Sequence, residues 1–544
     1  VNVSQVADRL LADLAPVDPE AAQALGLEPD VVMPALAPQD FQRRDDARRE
    51  ALAALGTATV SGEKERVLQA VMQERLASEL ALDESGFTRA LLAPLATPVH
   101  QVREVFDNLP HETTSDWERV ADHLALVPSA LQDYAETLRA SAARGHVVAA
   151  RQVTVMADQC ERWVDAGRDD FYGRLVAQAP DPASLAALAA GASSATLEFA
   201  SFLRGELLAQ APQTDAVGRD RYLVTSRAFL GDDVDLDETY AFGWDELARL
   251  TDEMQAVASD LRAGSIEEAA ARLDDDPAVQ RSSPPQLLEW LQGRVDEVVE
   301  AIDGTHFELP AIARRPECRI SPTTSGVMYY SPPDAGFTRP GRIWWAPPAE
   351  GTSFTWREVT TVHHEGVPGH HLQIAVSMAE PGIHAWQRSM GHVHGYVEGW
   401  AHYAERLCDE LGLLRTPGER LGMLYGQRWR AARIVIDMGL HLGLPIPAGN
   451  GFTDQTRWTP ELGADVLRRA AGADATTARF EVDRYLGWPA QALAFRVGAR
   501  LWREVRREAE RSPDFDLKEF HMRALRLGPM GLAPLRSLLT EGAS

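Results

Sequence analysis

Cysteine is scarce in this chain. Only Cys160, Cys318 and Cys408 occur in 544 residues, none in a CxxC pair. So sparse and odd a set excludes a disulfide framework and a thiolate metal knuckle. It indicates free thiols in a reducing compartment, and a cytoplasmic location is the expectation. Positive charge is also short: Lys+Arg 54 stand against Asp+Glu 80, a net −26. Nucleic acid and an anionic membrane surface would both repel such a chain, so neither is expected as a partner. We read the acidity chiefly as a matter of solubility. No long uncharged apolar run stands out, so no membrane span is expected. The residues from Val1 onward show no charged segment leading into an apolar one, so no secretory signal is expected either. Internal repeats and low-complexity tails are lacking.

What is present is ordinary for a soluble globular protein: 45% hydrophobic and 25% charged residues, in a chain long enough for two lobes. Residues 1–305 read as helix after helix, with apolar residues at three- and four-residue spacing, for example over 61–82, 136–166, 184–210 and 244–262. Pro- and Asp-rich clusters such as Pro180-Asp181-Pro182 punctuate them. The Ala- and Ser-rich stretch from Ser184 reads as a tightly packed helix. Near Phe307 the pattern changes, and residues 318–320, 326–330 and 341–345 read as short strands between Pro- and Gly-rich turns. Thr355 and Glu358 have capping-box spacing, which predicts a helix from Trp356 into His363 and His364. Helices return over 395–405 and 418–442, and one or two more close the chain over 515–539. The division expected is residues 1–305 against residues 306–544.

The organising stretch is His363-His364-Glu365-Gly366-Val367-Pro368-Gly369-His370-His371. It holds four histidines and one glutamate in nine positions. Neutral imidazoles beside a carboxylate base are the components of a zinc hydrolase site. In HExxH, two histidines at i and i+4 share a helix face, but here the position four after His364 is Pro368. On a straight helix, i and i+6 lie on different faces, and i and i+7 lie about 10 Å apart along the axis. Pro368 would clash with the carbonyl of His364 and offers it no N–H. Gly369 is free to take a positive φ. The chemistry therefore predicts a helix interrupted for about two residues and then resumed. That brings His370 to the place of the second histidine, with His371 as the competing ligand. Downstream, Glu398 and Glu405 fall on one face of a helix. Glu398 is the candidate third ligand, and two His with one Glu leave an open position for water. Glu405 is read as orienting a ligand. Eight of the 15 histidines lie between His363 and His402, a density that packing alone does not explain. His402 is read as supporting a ligand, and His384, His392 and His394 as solvated or packing residues.

His364-Glu365-Gly366-Val367-Pro368-Gly369-His370-His371-Leu372-Gln373, followed by Glu398-Gly399-Trp400-Ala401-His402-Tyr403-Ala404-Glu405, resembles the bacterial family called domain of unknown function 885. That family is similar in fold and motif order to thermostable carboxypeptidases with HExGH and a later E-x6-E helix, and more distantly to HExGH oligopeptidases. The resemblance implies a mainly α, zincin-like metallopeptidase fold. A small β-sheet would lie beside the metal helix, and a deep central cleft would have residues 1–305 as one wall and residues 306–544 as the catalytic region. It agrees with Glu398 as third ligand. The resemblance is close from about Phe307 onward and loose before it.

Other residues join by their chemistry. Arg433, Asp437 and His441 recur at i, i+4 and i+8, a polar stripe on an apolar helix. An Arg433–Asp437 pair is the plain reading, and Arg433 or His441 facing the cleft the functional one. The family pattern places Gly-Trp after this stripe, where Gly443-Leu444 stands. It also has a Tyr shortly before Pro-Gly-Gln-Ala. Here Tyr485 precedes Pro489-Ala490-Gln491-Ala492, and Phe495-Arg496 occupies the place of Tyr-Lys. Tyr485, Tyr329 and Tyr330 are candidate oxyanion donors. Arg433 and Arg484 are candidates to grip a peptide's carboxylate end. Tyr329, Tyr330 and Arg339 border the sheet edge, where an extended peptide can add as a strand. The expected activity is metal-assisted hydrolysis of short peptides with Glu365 as general base. Zinc is the expected ion, with cobalt or manganese also compatible with the ligand set. Hydrolysis of a non-peptide amide or ester, and peptide binding without catalysis, are the competing readings.

Overall fold

The computed structural model describes residues 1–27, 33–165, 169–321, 328–334, 336–346 and 351–540. Helices dominate it, and their faces follow the apolar spacing. Helix Leu236–Asp260 buries Leu236, Tyr240, Leu247, Leu250, Met254 and Val257, and starts where the Asp235 carboxylate accepts the Glu238 N–H. Helix Glu63–Glu84 lies two residues beyond the stretch expected at 61–82. The helix expected over 136–166 is instead the end of Thr114–Ala142 and the separate Ala150–Trp163, with Gly145 at φ 82° in the turn between. Apolar spacing continues across that turn, so periodicity alone does not reveal it.

Residues Pro182–Gln210 form the one described helical stretch long and apolar enough to cross a membrane, with a third of its most apolar window buried. The expectation that no such stretch exists is therefore corrected. It begins as Pro182–Phe202, widens into a π-turn at Leu203–Leu207, and buries Leu185, Ala189, Ala192, Thr196 and Phe199 where it packs on Thr114–Ala142.

The sheet beside the helix that carries His363 and His364 has Arg342–Trp345 at its centre. Glu317–Ile320 lies parallel on one side and Tyr329–Ser331 antiparallel on the other, with Cys318 and Tyr330 both opposite Ile343. Ile343 and Trp345 point into the core. Of the strand expected over 326–330, residues 326 and 327 lie outside the described residues, and the strand runs Tyr329–Ser331. Ser353–Phe354 pairs with Gln280–Arg281, so the chain enters helix Thr355–Thr361 directly from a strand. Thr355 is then already helical and forms no side-chain cap, which corrects the expected capping box. Two helices, Leu517–Arg526 and Leu532–Thr540, close the chain.

The apolar core does not part at residue 305. One cluster joins residues near the start (Val3 to Leu76), Tyr222 to Ile302, and the whole second half, while a second cluster gathers Met33 to Ala211. Gly243 shows how closely the first cluster is joined. A Cβ there would lie 2.8 Å from Val435 and 2.9 Å from Ile434. Cys160, Cys318 and Cys408 are buried and free.

Candidate metal centre

The interruption predicted at Pro368 is present. Helix Thr355–Thr361 widens into a π-turn over Val362–Gly366, the chain leaves the axis through the cis Val367–Pro368 bond, and helix His370–Ala379 resumes. Trp400 pins the detour by donating its indole N–H to the Pro368 carbonyl at 2.8 Å. Gly369 is required for a different reason from the one expected. Its φ is −74°, not positive. A Cβ there would lie 2.0 Å from the His364 carbonyl oxygen and 2.3 Å from that of His363. Because those neighbours are backbone, they cannot swing away. Gly369→Ala is expected to cost about 1–3 kcal/mol or more as overpacking and to lower metal uptake. Thermal unfolding and metal analysis of the variant check both.

The detour brings His364, His370 and Glu398 together, with one ligand atom from each within 4.8 Å of the others. His364 Nε2 lies 3.2 Å and His370 Nε2 3.5 Å from Glu398 Oε2. A tetrahedral ion with ~2.0–2.1 Å bonds needs its ligands about 3.3 Å apart. The imidazoles stand nearly perpendicular at 86°. Burial pushes the Glu398 carboxyl up, but hydrogen bonds and charge from His364 and His370 outweigh it and hold Glu398 well below its usual range. Burial lowers His364, yet Glu398 and Glu405 on its two sides raise it to about 10. The two carboxylates thus favour positive charge between them, a proton on His364 when nothing else supplies it. Glu365 is raised, by burial first and then by Glu398, against His370, His364 and Arg430. Half-buried, it carries no hydrogen bond or ion pair among the described residues.

Behind His364 runs a polar chain. His364 Nδ1 donates to Glu405 Oε1 at 2.7 Å, which leaves Nε2 for an ion. Gln427 Nε2 donates to Glu405 Oε2 at 2.7 Å, and His402 Nδ1 lies 3.2 Å from the same oxygen. Arg496 donates to His402 Nε2 at 3.3 Å and also to Gln427 Oε1 and Glu246 Oε2. Glu405 therefore fixes the His364 ring, and His402 and Gln427 hold Glu405.

His371 is turned away from the ligand atoms. Its Nε2 donates to the Ala313 carbonyl at 3.0 Å, and Nδ1 accepts the Tyr330 O–H at 2.8 Å. Tyr330 is thereby committed to bracing His371. Tyr329 is 38% exposed and stacks on Trp344. Arg339 donates to the Pro332 and Pro340 carbonyls of its own loop.

The polar stripe resolves differently from its plain reading. Arg433 pairs with Glu481 at 2.7 Å and donates to the Tyr485 hydroxyl at 3.0 Å, while that hydroxyl donates to Glu481 at 2.8 Å. Asp437 instead accepts the Tyr222 O–H and the Ala490 N–H. It anchors Ala490 in a left-handed turn, φ 69°. His441 is buried, with Nδ1 accepting the Val217 N–H and Nε2 donating to the Tyr485 carbonyl. Its two nitrogens serve the main chain rather than a cleft. Arg484 donates to Glu481 at 3.3 Å and to Gln491 at 3.0 Å.

The cation that sequence reasoning passed over is Arg430. It lies over the rings of Trp429 and Phe495, and Phe495 in turn stacks on His364. Its charge acts on Glu365, Glu398 and Glu405, yet it carries no hydrogen bond or ion pair among the described residues, and its Nε is buried. The signal was there. Gln427 and Arg430 extend the Arg433–Asp437–His441 stripe toward the start of the same helix, Pro417–Leu442.

Fold and site together define a mainly α chain in which two histidines of an interrupted helix meet a glutamate of helix His394–Glu410. The chain belongs to the family described as "Bacterial protein of unknown function (DUF885)", which it matches over residues 19–539. No curated protein matches it. Among the solved structures that share the fold are two of similar length. One is described as a "putative lipoprotein" from Colwellia psychrerythraea, with TM-score 0.86, 19% identity, 99% of this chain and 98% of that one covered. The other is a "putative lipoprotein of unknown function" from Shewanella oneidensis, with TM-score 0.72, 17% identity, and 99% and 100% covered.

Proposed function

We propose that this protein is a metal-dependent peptidase that removes residues from the carboxyl end of short peptides, with zinc as its ion. The observation that carries the reading is the pair of separations, 3.2 and 3.5 Å, from Glu398 to His364 and His370, with an unengaged Glu365 beside them. A divalent ion held there supplies Lewis acidity toward a carbonyl and a lowered pKa for water. Glu365 then accepts the proton of the attacking water and passes it to the leaving amine.

The carboxypeptidase reading rests on arginines. Glu398 and Glu405 answer a divalent ion, Glu481 answers one of Arg430, Arg433 and Arg484, and Glu365 another. One positive charge is left over, matching one substrate carboxylate. Arg433 Nη1 and Arg430 Nε are buried without a hydrogen-bond partner among the described residues, so both guanidiniums keep bonding capacity that the protein does not use. Arg433 is engaged by Glu481 and Tyr485, and Arg484 by Glu481 and Gln491, which makes Arg430 the principal anchor. The hydroxyls of Tyr485 and Tyr330 are bonded within the protein, so they serve as supports rather than as free oxyanion donors.

Arg430→Met is expected to raise KM about 10–100-fold, the worth of one charged hydrogen bond, for peptides with a free carboxyl end. It should leave peptides amidated at that end unaffected, and its Tm should stay near wild type because no ion pair is lost. Equal losses on both substrates would remove Arg430 from carboxylate binding. Metal analysis of the purified protein, followed by assays on free and amidated peptides, tests the whole reading. A protein that neither takes up metal nor cleaves peptides overturns it.

A further inference from the structure

The polar chain that begins at His364 ends at Glu246, and Glu246 lines a second cavity. It has a volume of about 580 Å³ and lies between helices Leu236–Asp260 and Ala494–Ala509. Four arginines face it: Arg249, Arg500, Arg503 and Arg507. Arg249 is satisfied by Glu246 at 2.9 Å and Glu253 at 3.1 Å. Arg500 is satisfied by Glu238 at 2.6 Å and Glu504 at 2.8 Å. Arg503 and Arg507 make no hydrogen bond or ion pair among the described residues.

Arg503 and Arg507 stand four residues apart on one helix face, where like charges repel. Arg249 and Arg406 add to the repulsion. Burial, with these three neighbours, lowers Arg503 to about 10. Glu238, Asp245, Glu246 and Glu504 line the same cavity, but Glu238, Glu246 and Glu504 are engaged by Arg249 and Arg500, so Arg503 and Arg507 are left without a countercharge of their own among the described residues. Asp245, the one lining carboxylate without a cation among the described residues, stands exposed. Guanidinium forks match an oxyanion with several acceptor oxygens. The volume falls in the ~300–1,000 Å³ range of small-molecule sites.

We infer that this cavity binds a small multivalent oxyanion, phosphate or a phosphomonoester, held between Arg503 and Arg507. The site stands apart from the metal centre and does not depend on the peptidase reading.

The test is calorimetric titration of the full chain with inorganic phosphate at fixed ionic strength, alongside thermal unfolding. Wild type is expected to bind one phosphate saturably and to gain Tm with it. The double variant Arg503→Gln/Arg507→Gln is expected to bind about 100-fold more weakly, having lost two charge-assisted contacts. Its Tm without phosphate should equal or exceed wild type, because a repulsion has been removed. If the double variant does not fold, the exposed Arg507→Gln alone carries the comparison, with roughly a tenfold loss expected. Phosphate bound equally by wild type and variant would place the ion elsewhere, at the metal centre for instance, and overturn the inference. Wild type showing no saturable binding up to about 10 mM, the weak end of specific affinity, would do the same.

Discussion

Glu365→Gln is expected to remove peptide hydrolysis while leaving metal content near that of wild type. Its carboxylate is raised in pKa, beside His364 and His370, and engaged by no other group among the described residues. An amide of the same shape cannot accept a proton, and general-base catalysis contributes about 10²–10⁴-fold. Because Glu365 supports no other residue through a hydrogen bond, Tm should hardly change. Steady-state assay and metal analysis on the same sample read both quantities. Full turnover by the glutamine variant would show that another group moves the proton.

The second large effect concerns metal retention. Single alanine substitutions at His364, His370 and Glu398 are each expected to weaken metal binding by more than ~100-fold, beyond the 10–100-fold typical of losing a supporting residue. Glu405→Gln belongs to that smaller class, because it disturbs only the partner of His364 Nδ1. His371→Ala should keep the ion and lose stability instead, since it leaves the Tyr330 hydroxyl and the Ala313 carbonyl without their partner. Equilibrium metal titration of the five variants separates these outcomes. Loss of metal from His371→Ala with retention in His370→Ala would move the second ligand one residue along.

These roles were unequally legible in the sequence. The convergence of His364 and His370 was readable because proline chemistry is local: Pro368 breaks a helix wherever it stands, and the spacing beyond the break decides which histidine returns, while Glu398 was readable from the periodicity of its own helix. The sheet beside the interrupted helix was readable from turn residues for the same reason. Long-range partners were not. Arg433 and Asp437 are one turn apart on a single helix, which favours a pair on paper. In the fold Arg433 reaches Glu481, 48 residues on, and Asp437 meets Tyr222, 215 residues back. Tyr485 and Tyr330 have the chemistry of oxyanion donors, but only their neighbours reveal that each hydroxyl is already bonded. Arg430 was half legible: its place on the polar stripe could be read from the spacing, but its lack of a partner among the described residues could not. The division at residue 305 followed a change in local structure, whereas the core followed which apolar faces meet.

The detour at Val367–Pro368 has a consequence for how the motif can be edited. Removing those two residues joins Gly366 to Gly369 and leaves His364-Glu365-Gly-Gly-His370, a word of HExxH form. The looped and the straight versions are then alternative spellings of one arrangement, and they differ by an excursion that Trp400 clasps from outside. A shortened chain would release that indole and place two glycines mid-helix, at about 1 kcal/mol each. It would nonetheless present the same two imidazoles to Glu398. What the detour preserves in this chain is a point in space, reached by a longer count of residues between the histidines.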